Sequence, residues 1–302
     1  FMAVEEELEE PIELLMKFAP NFKVANCRKF NMNALQYKLD LIFSEQNMSL
    51  DNTISPETIR FCEYLVKNGC DPFFSEETIF HKSQQEYVCF ESILKFNITS
   101  NRCAIAMTLK NCQMDLFKVC LKNLANMHTQ PLLLHKIAQQ MKDMKEKTKE
   151  LLLLEMANML LECGYAANFT NEDDETALHY AAASGSVELI TLLIRWGAKV
   201  DAKNFLGMTP FYYAAGHGQA KACRFFYGEA NAQVSAKTHD LKTILHCLYC
   251  KDDAIQRLHW YDYSFLYSAQ KVDYIVKILI REFKLDPKQK DKKGRDYQWY
   301  MT

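Results

Sequence analysis

Residues 176–185 read TALHYAAASG, and residues 209–218 read TPFYYAAGHG. Laid over one another at an offset of 33, Thr176 meets Thr209, Leu178 meets Phe211, Ala181 and Ala182 meet Ala214 and Ala215, and Gly185 meets Gly218. An offset that keeps returning the same residue types is an internal repeat, and one of this length is a single supersecondary unit. Thr176 and Thr209 stand where a hydroxyl can cap the free N–H groups of a helix start. Pro210 suits the first turn because the N–H it lacks would be unpaired there. Small Ala181 and Ala182 let this first helix press close to its neighbours, and Gly185 and Gly218 permit the tight turn after it. Leu189, Ile190, Leu192, Leu193 and Ile194 then give a second helix its apolar face. One hairpin cannot bury that face alone, so the units must stack.

The stretch from Thr176 through Val187–Ala198 to Val200-Asp201-Ala202 resembles the ankyrin repeat over its whole length, and the copy opening at Thr209 matches it nearly as well. With the register set, Thr243-Ile244-Leu245-His246 opens a further unit 34 residues after Thr209. Its second helix, Val272–Ile280, is displaced by an aromatic-rich insertion near 256–269 that holds Trp260, Tyr261, Tyr263, Phe265 and Tyr267. Asp291–Asp296, with Gly294, looks like the opening of one more unit. Upstream, Leu151–Gly164 reads as a second helix and Pro131–Gln140 as its first, with the charged stretch Met141–Glu150 lengthening the connection. Met114–Leu124 and Ile59–Gly69 resemble second helices whose partners match poorly, and residues 2–50 are helical by pattern. The expected fold is an all-α ankyrin-repeat solenoid of about six stacked helix-turn-helix units, several divergent, with short β-hairpin fingers. Residues 2–130 form its divergent helical part, with degenerate repeats, and 131–302 the repeat stack.

Composition narrows the function. The 302 residues are 49% hydrophobic and 25% charged with 9 Gly and 7 Pro, which describes a folded, helix-rich chain. Lys plus Arg number 36 against 38 Asp plus Glu, so no global field draws phosphate backbones or anionic lipid, and nucleic acid is disfavoured as a partner. No long uncharged apolar run occurs, since even Leu151–Leu161 contains Glu155; no membrane span is expected. The acidic opening Glu5, Glu6, Glu7, Glu9 and Glu10 is the opposite of a secretory signal. Eleven scattered cysteines, among them Cys62, Cys120 and Cys163 inside apolar helical patterns, read as free buried thiols, and a cytoplasmic or nuclear location is expected.

Chemistry-bearing motifs are sparse. His179 and His246 occupy the place where the resemblance implies a buried histidine tying neighbouring hairpins together, and Tyr212 takes that place between them. Cys247 and Cys250 form a C-x-x-C with His239, His246 and His259 nearby, but no second C-x-x-C follows and His246 is already used by the repeat. Asp173, Asp174 and Glu175 fall on a finger before a helix, where acids favour the N-terminus and face water. Phosphate-binding glycine loops, the G-x-S-x-G elbow and the H-E-x-x-H motif are missing, and Gly216-His217-Gly218 is a turn. Neither enzymatic activity, cofactor nor metal is expected. Lys284, Lys288, Lys290, Lys292, Lys293 and Arg295 read as a solvated basic edge.

Binding is where the pattern points. In ankyrin-like stacks the residues between units project as fingers that, with the first helices, line a surface for partners. Phe205, Leu206 and Met208 put three large apolar side chains on one finger, where polar ones would be cheaper to expose. The preceding finger carries Glu172, Asp173 and Glu175, the following one His239 and Lys242. Ser184, His217, Cys250 and Lys251 fall on the first helices facing the same groove. The expectation is a protein-interaction module, a scaffold or adaptor. A partner peptide or helix is anchored by Phe205, Leu206 and Met208, with acidic residues selecting basic ones and Lys242 selecting acidic ones. The alternative is the regulatory arm of a larger enzyme or channel.

Overall fold

The computed structural model describes residues 34–46, 54–67, 70, 104–122, 132–142, 146–249 and 269–301. The chain divides into two compact units, one of residues 1–133 with 148–165 and the other of 134–147 with 166–302.

The first unit contains α1 (Ala34–Gln46), α2 (Pro56–Lys67), α3 (Ala104–Lys110) and α4 (Met114–Leu121). Pro56 opens α2 at the turn where its missing N–H costs nothing, and Ser55 Oγ accepts the Thr58 N–H at 3.1 Å. Phe61, Cys62, Leu65 and Val66 line the buried side of α2, as Leu116, Phe117, Cys120 and Leu121 do for α4. α1 packs on α2 and α3 on α4, while α1 also meets α3 and α2 meets α4. First helix lies on first and second on second, so the segments read as second helices acquire partners in α1 and α3. The α3–α4 turn is made by Cys112 at φ 52, where later repeats use glycine. α5 (Leu133–Lys142) belongs to the second unit and α6 (Lys147–Glu162) to the first, apart from one terminal residue each.

The second unit continues with α7 (Ala177–Ser184), α8 (Val187–Arg195), α9 (Pro210–Gly216), α10 (Ala220–Gly228), α11 (Ile244–Tyr249), α12 (Ala269–Arg281) and a 3-10 turn, Tyr297–Met301. α7 packs on α8 and α9, α9 on α10 and α11, α8 on α10, and α11 on the 3-10 turn. Ala181, Ala182, Ala214 and Ala215 are fully buried, which is the close approach their size was expected to allow. Gly185 ends α7 at φ 77, and a Cβ there would also run into the Gln219 side chain. Leu189, Ile190 and Leu193 on α8 and Ala222, Cys223 and Phe226 on α10 form the buried seam behind.

One expectation needs adjusting. The fingers are tight turns rather than strands: among the described residues the one bridge outside helices pairs Thr170 with Thr176. The insertion near 256–269 lies outside the described residues except for Ala269, which already belongs to α12. Past it the repeat closes normally. The Phe283 ring stacks on Tyr227 at 4.5 Å between centroids and lies 6.0 Å from Phe211, and Arg224 clasps Glu282 through Nε and Nη2 at 2.9 and 3.0 Å.

Candidate partner-binding face: the finger row

Four fingers share one five-residue construction: 171–175, 204–208, 238–242 and 291–295. The first residue carries the side-chain acceptor that shapes the turn. Asn171 Oδ1 accepts the N–H groups of Asp173 and Glu175, Asn204 Oδ1 those of Leu206 and Met208, and Asp291 Oδ1 those of Lys293 and Arg295. Thr238 does the same more simply, its Oγ1 accepting from Lys242 N–H at 3.1 Å. The fourth residue takes positive φ in each finger: Asp174, Gly207, Leu241 and Gly294 at 57, 80, 57 and 74°. Backbone bonds then tie finger to finger. Phe205 N–H donates to Asp173 C=O at 3.0 Å, His239 N–H to Leu206 C=O at 3.1 Å and Lys292 N–H to Asp240 C=O at 3.0 Å. The row is therefore a fixed array, with Gly207 so close to its neighbour that a Cβ would stand 3.0 Å from His239 N.

Beneath the row runs a second ladder, from the first helices to the fifth finger residue. His135 Nε2 donates to Glu175 C=O at 2.9 Å, His179 Nε2 to Met208 C=O at 3.2 Å and His246 Nε2 to Arg295 C=O at 3.0 Å. In His179 and His246 the Nδ1 accepts the N–H of Thr176 or Thr243, which leaves the ring proton on Nε2. Tyr212 replaces histidine by reach: its phenol lies 3.1 Å from Lys242 C=O and 2.5 Å from Ala236 C=O. Burial holds His135 and His179 down to about 4, so both rings are neutral near neutral pH. His246 is lowered for the same reason.

Glu175 forms the third connection. Its carboxylate accepts from Tyr180 Oη at 2.7 Å, from Asn171 Nδ2 at 2.8 Å and from Tyr213 Oη of the next repeat, and Asn204 Nδ2 donates to that same Tyr213 oxygen at 2.9 Å. Burial pushes the Glu175 carboxyl above its ordinary value, against the pull of these donors. At the far end Arg295 binds Asp291 through Nε and Nη2 at 3.0 and 2.8 Å and lies 4.2 Å over the Trp299 ring.

Of the residues expected to meet a partner, Phe205 is 41% exposed, His239 is exposed, and Leu206, Glu172, Asp173 and Ser184 are half-buried. Ser184 Oγ donates to Ala181 C=O at 2.9 Å. Met208, Glu175, Lys242 and His217 have buried side chains and leave the set of surface anchors. The fifth finger residue precedes a helix whose first turn is already packed, so its side chain turns inward; His217 caps α9 with Nδ1 2.8 Å from Tyr213 C=O. Lys251, Cys250 and His259 lie outside the described residues, and Cys247 is buried in α11. Two residues were missed. His135 joins the ladder although Leu132 stands where later repeats have threonine, its sequence signal being the Leu134-His135 pair inside a helix. Leu241 is 48% exposed at positive φ on the third finger, beside the apolar second one. An apolar residue one place before a lysine-threonine helix start was the available sign.

Comparison with known proteins agrees with this construction. The family described as ankyrin repeats matches residues 148–238 in three copies. Protein phosphatase 1 regulatory subunit 12A of Rattus norvegicus is 38% identical over 79 residues, 26% of this chain and 8% of that protein. The transient receptor potential cation channel subfamily A member 1 homolog of Caenorhabditis elegans is 28% identical over 127 residues, 10% of its length. This chain thus spans a small fraction of such long relatives. Notch-regulated ankyrin repeat-containing protein A of Danio rerio is different: 30% identity over 95 residues takes in 31% of this chain and 81% of that protein. With its repeats matched both to the family and along most of a relative, the chain belongs to the ankyrin-repeat family.

Proposed function

We propose that this chain is a protein-interaction module whose contact surface is the outward part of the finger row. The observation that carries the reading is the exposure of Phe205 and Leu241 on adjacent fingers that are tied to one another by backbone hydrogen bonds. Nothing in the turns requires large apolar side chains there, and clustered exposed apolar groups on a rigid surface are suited to burial by a partner. Because the backbone is fixed before binding, little ordering entropy is lost on association. The relatives' names include a phosphatase regulatory subunit and a channel, each matched over a small part of its length. They support a second reading, that the module acts as the regulatory arm of a larger assembly.

The test is affinity capture from cell extract with wild type and with a Phe205→Ser, Leu206→Asn, Leu241→Ser variant. These three side chains are exposed or half-buried, so the variant should melt like wild type. A protein retained by wild type and lost by the equally stable variant supports the reading, and its identity separates scaffold from regulatory arm. Retention of every partner refutes it.

A further inference from the structure

We infer that two copies of this chain pair through their finger rows, antiparallel, about a twofold axis lying between the second and third fingers. This rests on the reading that the fingertips are the contact surface, and it names the partner as a second copy. The tips run in a fixed order. Glu172, Asp173 and Asp174 are acidic, Phe205 and Leu206 apolar, exposed His239 and Asp240 are followed by exposed apolar Leu241, and Lys292 and Lys293 are basic and exposed. The finger-to-finger backbone bonds make that order a rigid property of the surface.

A twofold axis exchanges the first finger with the fourth and the second with the third. Under that operation the acids of each copy meet the lysines of the other, twice, and Phe205 with Leu206 meets Leu241, twice. A twofold interface must be complementary to itself; here the acidic and basic ends match across it and Leu241 matches Phe205 and Leu206, while His239 and Asp240 are left at the rim of that apolar contact. A foreign partner imposes no such symmetry on the order of fingers. Leu241 adds an independent point. Its equivalents in the other fingers are Asp174, Gly207 and Gly294, residues that accept positive φ readily, whereas leucine adopts it at a cost and here exposes 48% of its surface as well. Pairing would bury it against Phe205. A net charge of −2 leaves little long-range repulsion to oppose two copies meeting.

The experiment is sedimentation equilibrium of the full chain over the micromolar range, at low and high salt, with three variants. Wild type should form a dimer that weakens as salt rises, because the outer pairs are ionic and lie at the solvent-facing ends of the row. Phe205→Ser with Leu241→Ser should weaken it by about tenfold or more, with an unchanged melting temperature at concentrations low enough for both proteins to be monomeric. Lys292→Glu with Lys293→Glu makes both ends acidic, and Glu172→Lys with Asp173→Lys makes both ends basic. Each alone should be monomeric, while their equimolar mixture forms a heterodimer. A wild type that stays monomeric, a dimer indifferent to salt and to the apolar variant, or a mixture that fails to pair overturns the inference. A monomeric wild type that still loses a captured partner on Phe205, Leu206 and Leu241 substitution leaves the finger-row reading standing. If neither self-association nor capture responds to those residues, both fall.

Discussion

Acidification should loosen the repeat stack through its neutral histidines. His135 and His179 have an ordinary value of 6.5 and are held at about 4 by burial in the folded chain. Between those values the unfolded chain binds more protons than the folded one, so stability rises with pH, and it is lost as pH falls from 6.5 toward 4. Going from about pH 7 to about pH 5, each ring gives up roughly 2 kcal/mol, and the two together roughly 4. His246, lowered in the same direction, adds to the loss. Glu175 acts with the opposite sign. Its carboxyl is raised, so the folded state keeps a proton the unfolded state has released, and that contribution is lost as pH rises through the folded value. Urea melts at a series of pH values measure the slope directly. His135→Gln and His179→Gln should each remove about half of the acid-side loss that these two rings contribute, and Glu175→Gln should steepen the remainder. Slopes unchanged by both histidine substitutions would refute the reasoning.

Two structural tests follow from the ladder and the row. Tyr212→Phe keeps the ring and removes the one hydroxyl serving Ala236 C=O and Lys242 C=O. Lys242 C=O keeps the Thr238 N–H at 3.0 Å, so the loss falls on buried Ala236 C=O and should cost about 1–3 kcal/mol of stability in urea melts; an unchanged stability would refute it. Gly207→Ala meets both an unfavourable φ of 80° and a Cβ position 3.0 Å from His239 N. It should lower stability by about 2 kcal/mol and speed hydrogen exchange at the His239 N–H. Gly164→Ala, at φ 90° with nothing within 4 Å of the new Cβ, should show the conformational share alone.

The repeats from Thr176 onward were legible because their signals are local. A threonine at a helix start, a histidine three places on, paired alanines and a glycine turn each act within one hairpin, and 33-residue spacing makes them recognisable. The first unit follows the same packing with other residues. Cys112 makes the turn at φ 52 without glycine, and α1 and α3 carry no alanine pair, so their role as first helices shows only in what they pack against. Burial of Glu175 was illegible for a further reason. A carboxylate beside two aspartates reads as solvated, and what accommodates it is supplied by Tyr180, Asn171 and, 38 residues away, Tyr213.

The five finger positions also divide the labour between fold and recognition. The fold uses the side chain of the first, Asn171, Asn204, Thr238 or Asp291, to set the turn, and the carbonyl of the fifth, Glu175, Met208, Lys242 or Arg295, to receive the histidine or tyrosine beneath. Positions two and three enter the row through backbone groups that any side chain would supply. Their side chains change from Glu172 and Asp173 to Phe205 and Leu206, to His239 and Asp240, and to Lys292 and Lys293, while the backbone bonds of the row stay the same. A surface built this way can acquire a partner, or lose one, by substitutions that leave stability where it was. That is why the exposed tips, rather than the more regular residues that define the repeat, are where the choice of partner is written.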